Sequence, residues 1–344
     1  MRKKKIIAIF LVVFTMMLTS FAFYTYQIIY TPNVLVESQS TMLAIPHGTT
    51  FKELQDDLSR GRIVNDLVSF SFLAKLKDLD TRIKPGMYSI EANMTNIELI
   101  NLLRSGTQTP IRLTFSHARL LAQMPKILTQ SLEIDSTDMA NLLLADTTSA
   151  YYGFSDETFI SMFIPNTYEV YWTAKPKEIL DRMKKEYDRF WTEERVQKAK
   201  ELKMSKDEVA TLASIVQSET NKKEEAPRIA GVYINRLKKR IPLQADPTLV
   251  FAIGDFTIRR ILNKDKEFDS PYNTYKNYGL PPGPIKMPSI PYLDAVLDYE
   301  EHKYLYFCAK EDFSGYHAFA KTLTEHNRNA RKFQRALNMQ RIYR

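Results

Sequence analysis

One glutamate sits where a helix pattern calls for a core side chain. Ser205-Lys-Asp-Glu208 has the form of a capping box, in which the serine oxygen accepts from an early backbone amide while the glutamate reaches back to the cap amide. The spacing predicts a helix from this point, with Val209, Leu212, Ala213 and Val216 on its apolar stripe. Glu219 lies three residues beyond Val216 and seven beyond Leu212, so it continues that stripe. A carboxyl so placed is desolvated, which disfavours its charged form and raises its pKa. A carboxylic acid still protonated near neutrality is what a general acid requires. The competing reading is a glutamate at a fraying helix end, exposed or paired with Lys222, Lys223 or Arg236, and the pattern alone leaves both open.

The segments that follow supply polar and aromatic side chains that could hold a substrate around such an acid. Pro227 to Arg240 is predicted as a second packed helix, opened by a proline suited to a first turn and carrying Ile229, Val232, Tyr233 and Leu237 on one face. Asn235 and Arg236 fall near the polar edge of that face, where either could orient a sugar or simply cap and solvate. Leu243 to Thr248 introduces a further helical turn for which Asp246 is the expected N-cap. Ser270 to Pro291 is a proline-stiffened loop carrying Tyr272, Asn273, Tyr275, Asn277 and Tyr278. It is equally suited to stack and hydrogen-bond a sugar chain or to seal the core. Trp172, Trp191 and the nearby tyrosines are expected in the core or at a domain interface, with carbohydrate stacking as the alternative.

Other chemistries find little support. The five histidines have no metal-binding spacing, and no G-x-S-x-G elbow, phosphate-binding loop or dinucleotide fingerprint occurs, so neither a metal nor an organic cofactor is expected. Cys308 is the only cysteine, which excludes an intrachain disulfide and reads as core packing. The net charge is +8, but Arg2, Lys3, Lys4 and Lys5 supply about half of it ahead of the first apolar run. With no zinc-finger, RNA-recognition or basic-helix signature, nucleic acid is not an expected partner.

These candidates need a scaffold, and 344 residues at 44% apolar composition suffice for about two domains. Residues 1–5 form a short basic tail. Residues 6–30 form an uncharged run of about 25 residues, long enough to cross a bilayer as a helix. The N-terminal cations place the tail in the cytoplasm and everything after Tyr30 outside, with an uncleaved anchor favoured over a signal peptide because no A-x-A-like site follows. Residues 34–115 read as strand, helix, helix, strand, helix, with Thr49 or Thr50 and Thr95 as caps. Residues 116–344 are expected to form one mixed α/β domain, ending in a hairpin around Asp312-Phe-Ser-Gly315, with His317 at the start of its second strand, and a basic helix offering Leu323, Phe333 and Leu337 to the core. The expected class is therefore α+β.

Several blocks in the same order resemble the endolytic murein transglycosylases, the MltG or YceG-like family. They are Leu212-Ala-Ser-Ile-Val-Gln-Ser-Glu-Thr220, Ala230-Gly-Val-Tyr-Ile-Asn-Arg-Leu237, Leu243-Gln-Ala-Asp-Pro-Thr248, Ser270-Pro-Tyr-Asn-Thr-Tyr275 and Gly279-Leu-Pro-Pro-Gly-Pro284. The resemblance runs from about Ile45 to the C-terminus and implies that Glu219 is the catalytic acid. The family often carries two glutamates spaced E-x-E; here Gln217 fills the first slot, which leaves Glu219 alone. It further implies a LysM-like glycan-binding module at 34–115, peptidoglycan strands as substrate, and 1,6-anhydro ends formed at the bond between N-acetylmuramic acid and N-acetylglucosamine. It also implies a place in the plasma membrane beside the cell-wall synthesis machinery, where cleavage would end strand elongation. Gln217, Asn235, Arg236, Gln244, Asp246, Thr248, Tyr272, Asn273 and Tyr275 are the candidates for holding the strand. Two rivals remain: a hydrolytic glycosidase using Asp246, Glu224 or Glu225 as second carboxylate, and a non-catalytic glycan-binding scaffold.

Overall fold

The computed structural model describes residues 2–36, 38–258 and 260–339. It is an α+β protein whose first element, α1 (Arg2–Tyr30), is apolar and long enough to cross a membrane. Its side chains are largely exposed, as in Phe10, Leu18 and Phe21. The chain then divides into two compact units, one of residues 1–113, 131–134 and 169–175, the other of the remainder.

The first unit contains β1 (Ser40–Ile45), α2 (Phe51–Arg60), α3 (Leu67–Leu76), β2 (Gly86–Glu91) and α4 (Asn96–Ser105), the order the pattern predicts. Thr50 and Thr95 each close a capping box, with Glu53 and Glu98, so four amides that a helix start leaves unpaired are satisfied by two side-chain pairs. β1 and β2 run antiparallel, from Ser40 opposite Glu91 to Ile45 opposite Gly86. Leu54, Leu58, Phe70, Tyr88, Ile90 and Leu99 fill the core beneath them, and Ile28 and Ile29 from the last turn of α1 pack on it.

A buried polar cluster joins the ends of these elements. The Asn33 amide donates to the Asn96 side chain at 2.7 Å and to the Asp66 carbonyl at 2.9 Å, while its oxygen accepts from the Asp66 amide at 2.7 Å. Asn96 in turn donates to Ser69 Oγ and to the Ile28 carbonyl, both at 3.1 Å. The starts of α3 and α4 are thereby tied to the end of α1. Buried amides of this kind are tolerated because their donors and acceptors are matched inside the protein.

β3 (Ile111–Phe115) leads into the second unit, which contains α5 (Met124–Thr129), α6 (Ser136–Leu143), α7 (Thr148–Tyr151), β4 (Asn166–Val170), which pairs with β3, α8 (Pro176–Phe190) and α9 (Glu193–Glu201). Its central helices are α10 (Lys206–Glu219), α11 (Ala226–Lys238), α12 (Asp246–Ile253) and α13 (Ile290–Leu297). They share a core of Leu212, Val216, Ile229, Val232, Leu293 and Val296, all nearly inaccessible to solvent. The predicted hairpin is β5 (Tyr306–Ala309) and β6 (His317–Ala320), and α14 (Leu323–Met339) follows. Trp191 is buried edge-on against Phe190 and Tyr187. Leu323, expected in the core, is instead 54% exposed, because it sits in the first turn of α14 at the lip of a cavity.

Candidate active site

The helix carrying Glu219 is fixed at both ends. At its start Ser205 Oγ accepts from the Glu208 amide at 3.1 Å and Glu208 accepts from the Ser205 amide at 2.7 Å. Near its end Ser214 Oγ accepts from the Ile285 amide at 3.0 Å and Tyr292 donates to the Thr220 carbonyl at 2.9 Å. Gln217 turns away from the cavities, accepting from the Ser289 amide at 2.8 Å, so it clamps the proline-rich loop to α10. Glu219 is the last helical residue, at the boundary where fraying would be expected, yet it is neither frayed nor salt-bridged among the described residues.

Its partner comes from α11. Pro227 opens that helix, and Gly231 lets it press against a neighbouring loop, since a Cβ there would stand 2.4 Å from the Glu300 carbonyl oxygen. This packing presents Tyr233, which is buried and donates its hydroxyl to Glu219 Oε1 at 2.6 Å. Glu219 keeps a partly exposed side chain while protein atoms crowd its carboxyl. Burial pushes its pKa up to about 7; the Asp246 charge adds to the rise, and the Tyr233 hydrogen bond and the Arg236 charge oppose it. Burial also drives the Tyr233 phenol well above its ordinary range, with the Glu219 charge assisting, so it remains a donor throughout.

Arg236 is held by carbonyls. Its Nε donates to Leu305 at 2.6 Å and its Nη1 to Leu243 at 2.8 Å, which fixes the guanidinium near Glu219 without forming an ion pair. Asp246 does not cap α12 as expected. The cap position falls on Ala245, one residue earlier, and Asp246, inside the first turn, is free to accept from the Tyr275 hydroxyl. Gln244 adopts a left-handed backbone (φ 49°) while its amide donates to the Thr274 carbonyl, a bend that points α12 into the site.

Two cavities, of about 370 and 360 Å³, meet at Glu219 and Asp246, which line both. The first adds Tyr233, Arg236, Gln244, Tyr275, Tyr306 and His326. The second adds Arg119, Phe251, Phe256 and Lys286 among its walls. The carboxylates thus sit where two arms of a polar cleft join.

Of the residues singled out in the sequence, Glu219, Arg236, Gln244, Asp246 and Tyr275 converge here. Most of the others have their side-chain polar atoms engaged inside the protein. Asn273 is fully buried, donating to the Lys266 and Phe268 carbonyls and accepting from the Tyr275 amide, so it shapes the loop that presents Tyr275. Thr248 is fully buried between Ala245 and Thr274. Asn235 binds the His302 and Tyr304 carbonyls, and Tyr272 packs on Phe251 with ring centroids 4.8 Å apart. Glu225, one of the alternative carboxylates, is buried and occupied by His317, whose amide and Nδ1 lie 2.9 and 2.7 Å away. Glu224 accepts from the Tyr316 hydroxyl. Neither lines the cleft.

Sequence reasoning missed Tyr233 as a functional group, and also Tyr306 and His326. A tyrosine on a buried helix face was the available signal, because its hydroxyl needs a partner. His326 stacks on Tyr306 at 5.5 Å, and its buried Nδ1 has no partner among the described residues.

The Bacillus subtilis protein named endolytic murein transglycosylase is 28% identical over 324 residues, covering 86% of each chain. A Streptococcus pneumoniae protein of the same name is 27% identical over 94% of this chain, which spans 64% of that longer protein. A crystal structure of a YceG-like protein from Listeria monocytogenes superposes with a TM-score of 0.56 at 29% identity, covering 84% of this chain and 98% of the other. The family model described as YceG-like matches residues 43–332. The chain belongs to the YceG-like family.

Proposed function

We propose that this chain is a membrane-tethered murein transglycosylase that cuts glycan strands internally, with Glu219 acting as acid and then as base. The observation that carries the proposal is the Glu219 carboxyl itself, protonated to a useful extent near neutrality and placed where two cavities meet. A strand can then extend into both arms, as internal cleavage requires. The names of the Bacillus and Streptococcus relatives support the same activity.

The step balances without water. Glu219 gives its proton to the oxygen linking N-acetylmuramic acid to N-acetylglucosamine, and the bond from muramyl C1 to that oxygen breaks. The muramyl C6 hydroxyl closes onto C1, and the Glu219 carboxylate takes the hydroxyl proton. The products are a free 4-hydroxyl and a 1,6-anhydro end. Tyr233 steadies the carboxylate between the two transfers, and Asp246, Arg236 and Gln244 face the sugars. The module within residues 34–115 would bind glycan in LysM fashion, and α1 would hold the enzyme in the plasma membrane, N-terminus inward, beside the synthesis machinery whose strands it terminates.

Purified wild-type and Glu219→Gln proteins incubated with peptidoglycan, with mass spectrometry of the released fragments, test this directly. Anhydro ends from wild type and none from the variant are expected; anhydro ends from the variant at the wild-type rate would remove Glu219 from the reaction. One observation favours a second reading: Asp246 shares both cavities with Glu219, as a second carboxylate of a hydrolase would. Hydrolysis leaves ends one water heavier, so the same spectra decide. Glycan binding with no new ends would identify a scaffold instead.

A further inference from the structure

The two arms of the cleft differ in how their cations are engaged. In the first, Arg236 donates from Nε and Nη1 to the backbone carbonyls of Leu305 and Leu243. In the second, Arg119 and Lys286 line the wall, and neither forms an ion pair among the described residues. Among the described residues, Lys286 Nζ reaches only the Gln217 carbonyl, at 3.5 Å, which holds the ammonium within one turn of Glu219. The Arg119 guanidinium lies 4.2 Å from the Phe256 ring centroid, an orientation set before any ligand arrives. Burial pushes the Lys286 pKa down, and the Arg119 charge pushes it further. Glu219 and Asp246 line the same cavity where it meets the first arm, yet neither is ion-paired with these two neighbouring cations among the described residues, which stand beside the apolar walls of Val250, Phe251 and Ile285 and can take an anion.

We propose that Arg119 and Lys286 form a carboxylate subsite for the acidic substituent carried at C3 of a muramyl residue. This rests on the transglycosylase reading and refines its substrate. The sugar backbone of a murein strand is neutral; its negative charge lies on the lactyl group or on the peptide that extends it. Anchoring that charge in one arm places a muramyl residue on a defined side of Glu219, so the strand enters with one polarity. A neutral glycan of N-acetylglucosamine alone would lack the anchor.

The test uses the full-length chain in detergent with three substrates: peptide-bearing uncrosslinked strands, strands stripped by an amidase so that each muramyl ends in its lactyl carboxylate, and peptide-bearing strands whose carboxyls have been converted to methylamides. Arg119→Gln and Lys286→Gln are each expected to raise KM on peptide-bearing strands about tenfold, the worth of one charge-assisted contact, with kcat within about twofold. Arg119→Lys and Lys286→Arg should retain most of the affinity. Wild type should show the raised KM on methylamide strands, and the neutral variants should lose nothing further there. If stripped strands behave like peptide-bearing ones, a carboxylate at either position, lactyl or peptide, fills the subsite; if they behave like blocked ones, the subsite takes only a carboxylate of the peptide. An unchanged KM in both neutral variants, or a wild type indifferent to blocking, overturns the subsite. Titrating the same strands into Glu219→Gln and its Arg119→Gln double variant measures the anchor by binding alone, so the subsite stands or falls separately should the cleavage reading fail.

Discussion

Each unit of the molecule buries a group of polar side chains, and the two groups are built to opposite ends. Around Asn33 and Asn96 the participants are neutral amides whose donors and acceptors meet one another, the Ser69 hydroxyl or backbone atoms at 2.7 to 3.1 Å. Around Glu219 the participants can ionise, and its donor is the Tyr233 hydroxyl. A saturated network of amides has one arrangement and no proton to lose, so it fixes geometry. A carboxyl held short of saturation keeps a proton available, at a cost in stability. The contrast separates burial that shapes from burial that reacts.

The largest expected effect tests the reactive side. Glu219→Gln should lower the cleavage rate by at least about 10²-fold while far-UV circular dichroism stays unchanged. On the shaping side, Asn96→Ala should destabilise the first unit by about 3 kcal/mol, since it removes the acceptor of one Asn33 N–H and the donor to the Ile28 carbonyl, and denaturant unfolding should show that cost equally at pH 5 and pH 8.

The second unit should depend on pH in that range. Glu219 binds its proton more tightly folded, with a pKa of about 7, than unfolded, where the carboxyl returns to its ordinary value near 4.5. Its stabilising contribution is therefore full below about pH 4.5 and is lost as pH rises through about 7. The loss is on the order of 2–3 kcal/mol after allowance for partial exposure. Thermal melts should show wild type weakening across this window and Glu219→Gln holding level, so that the inactive variant is the more stable at pH 8.

The smallest effects are the most diagnostic, because they have opposite signs. A general acid works only while protonated, so the rate falls as pH passes its pKa. Tyr233→Phe removes a bond that favours the carboxylate and should move that fall to higher pH. Asp246→Asn removes a charge that disfavours the carboxylate and should move it lower. Rate profiles from pH 5 to 9 would reveal both, and identical shifts would contradict the electrostatic account.

Much of this was legible in the residue order wherever the signal is local. The capping box at Ser205 starts its helix as predicted, the caps expected at Thr49 or Thr50 and at Thr95 fall on Thr50 and Thr95, and the stripe from Val209 to Val216 does lead to a crowded Glu219. What stayed hidden depends on partners distant in sequence. Asp246 looked like a cap because an acid beside a proline at a helix start is usually one; the hydroxyl that claims it belongs to Tyr275, and nothing nearby announces it. Asn273 and Thr248 have the right atoms for sugars but direct them inward. Tyr233 passed for a core residue because its ring is one. Arg119 and Lys286 face the same space from distant parts of the chain, a pairing no periodicity encodes.

The bond from Asn96 to the Ile28 carbonyl has a mechanical consequence. A flexible tether of ten residues would let its cargo wander roughly 17 Å. Here the apolar helix runs into the folded unit with its last turn already gripped, and the joint has no slack. Set in a bilayer, such a stem would hold its first unit at one height and leave it to drift sideways and spin. A search for a partner by that unit would then be a sweep over an area instead of a volume.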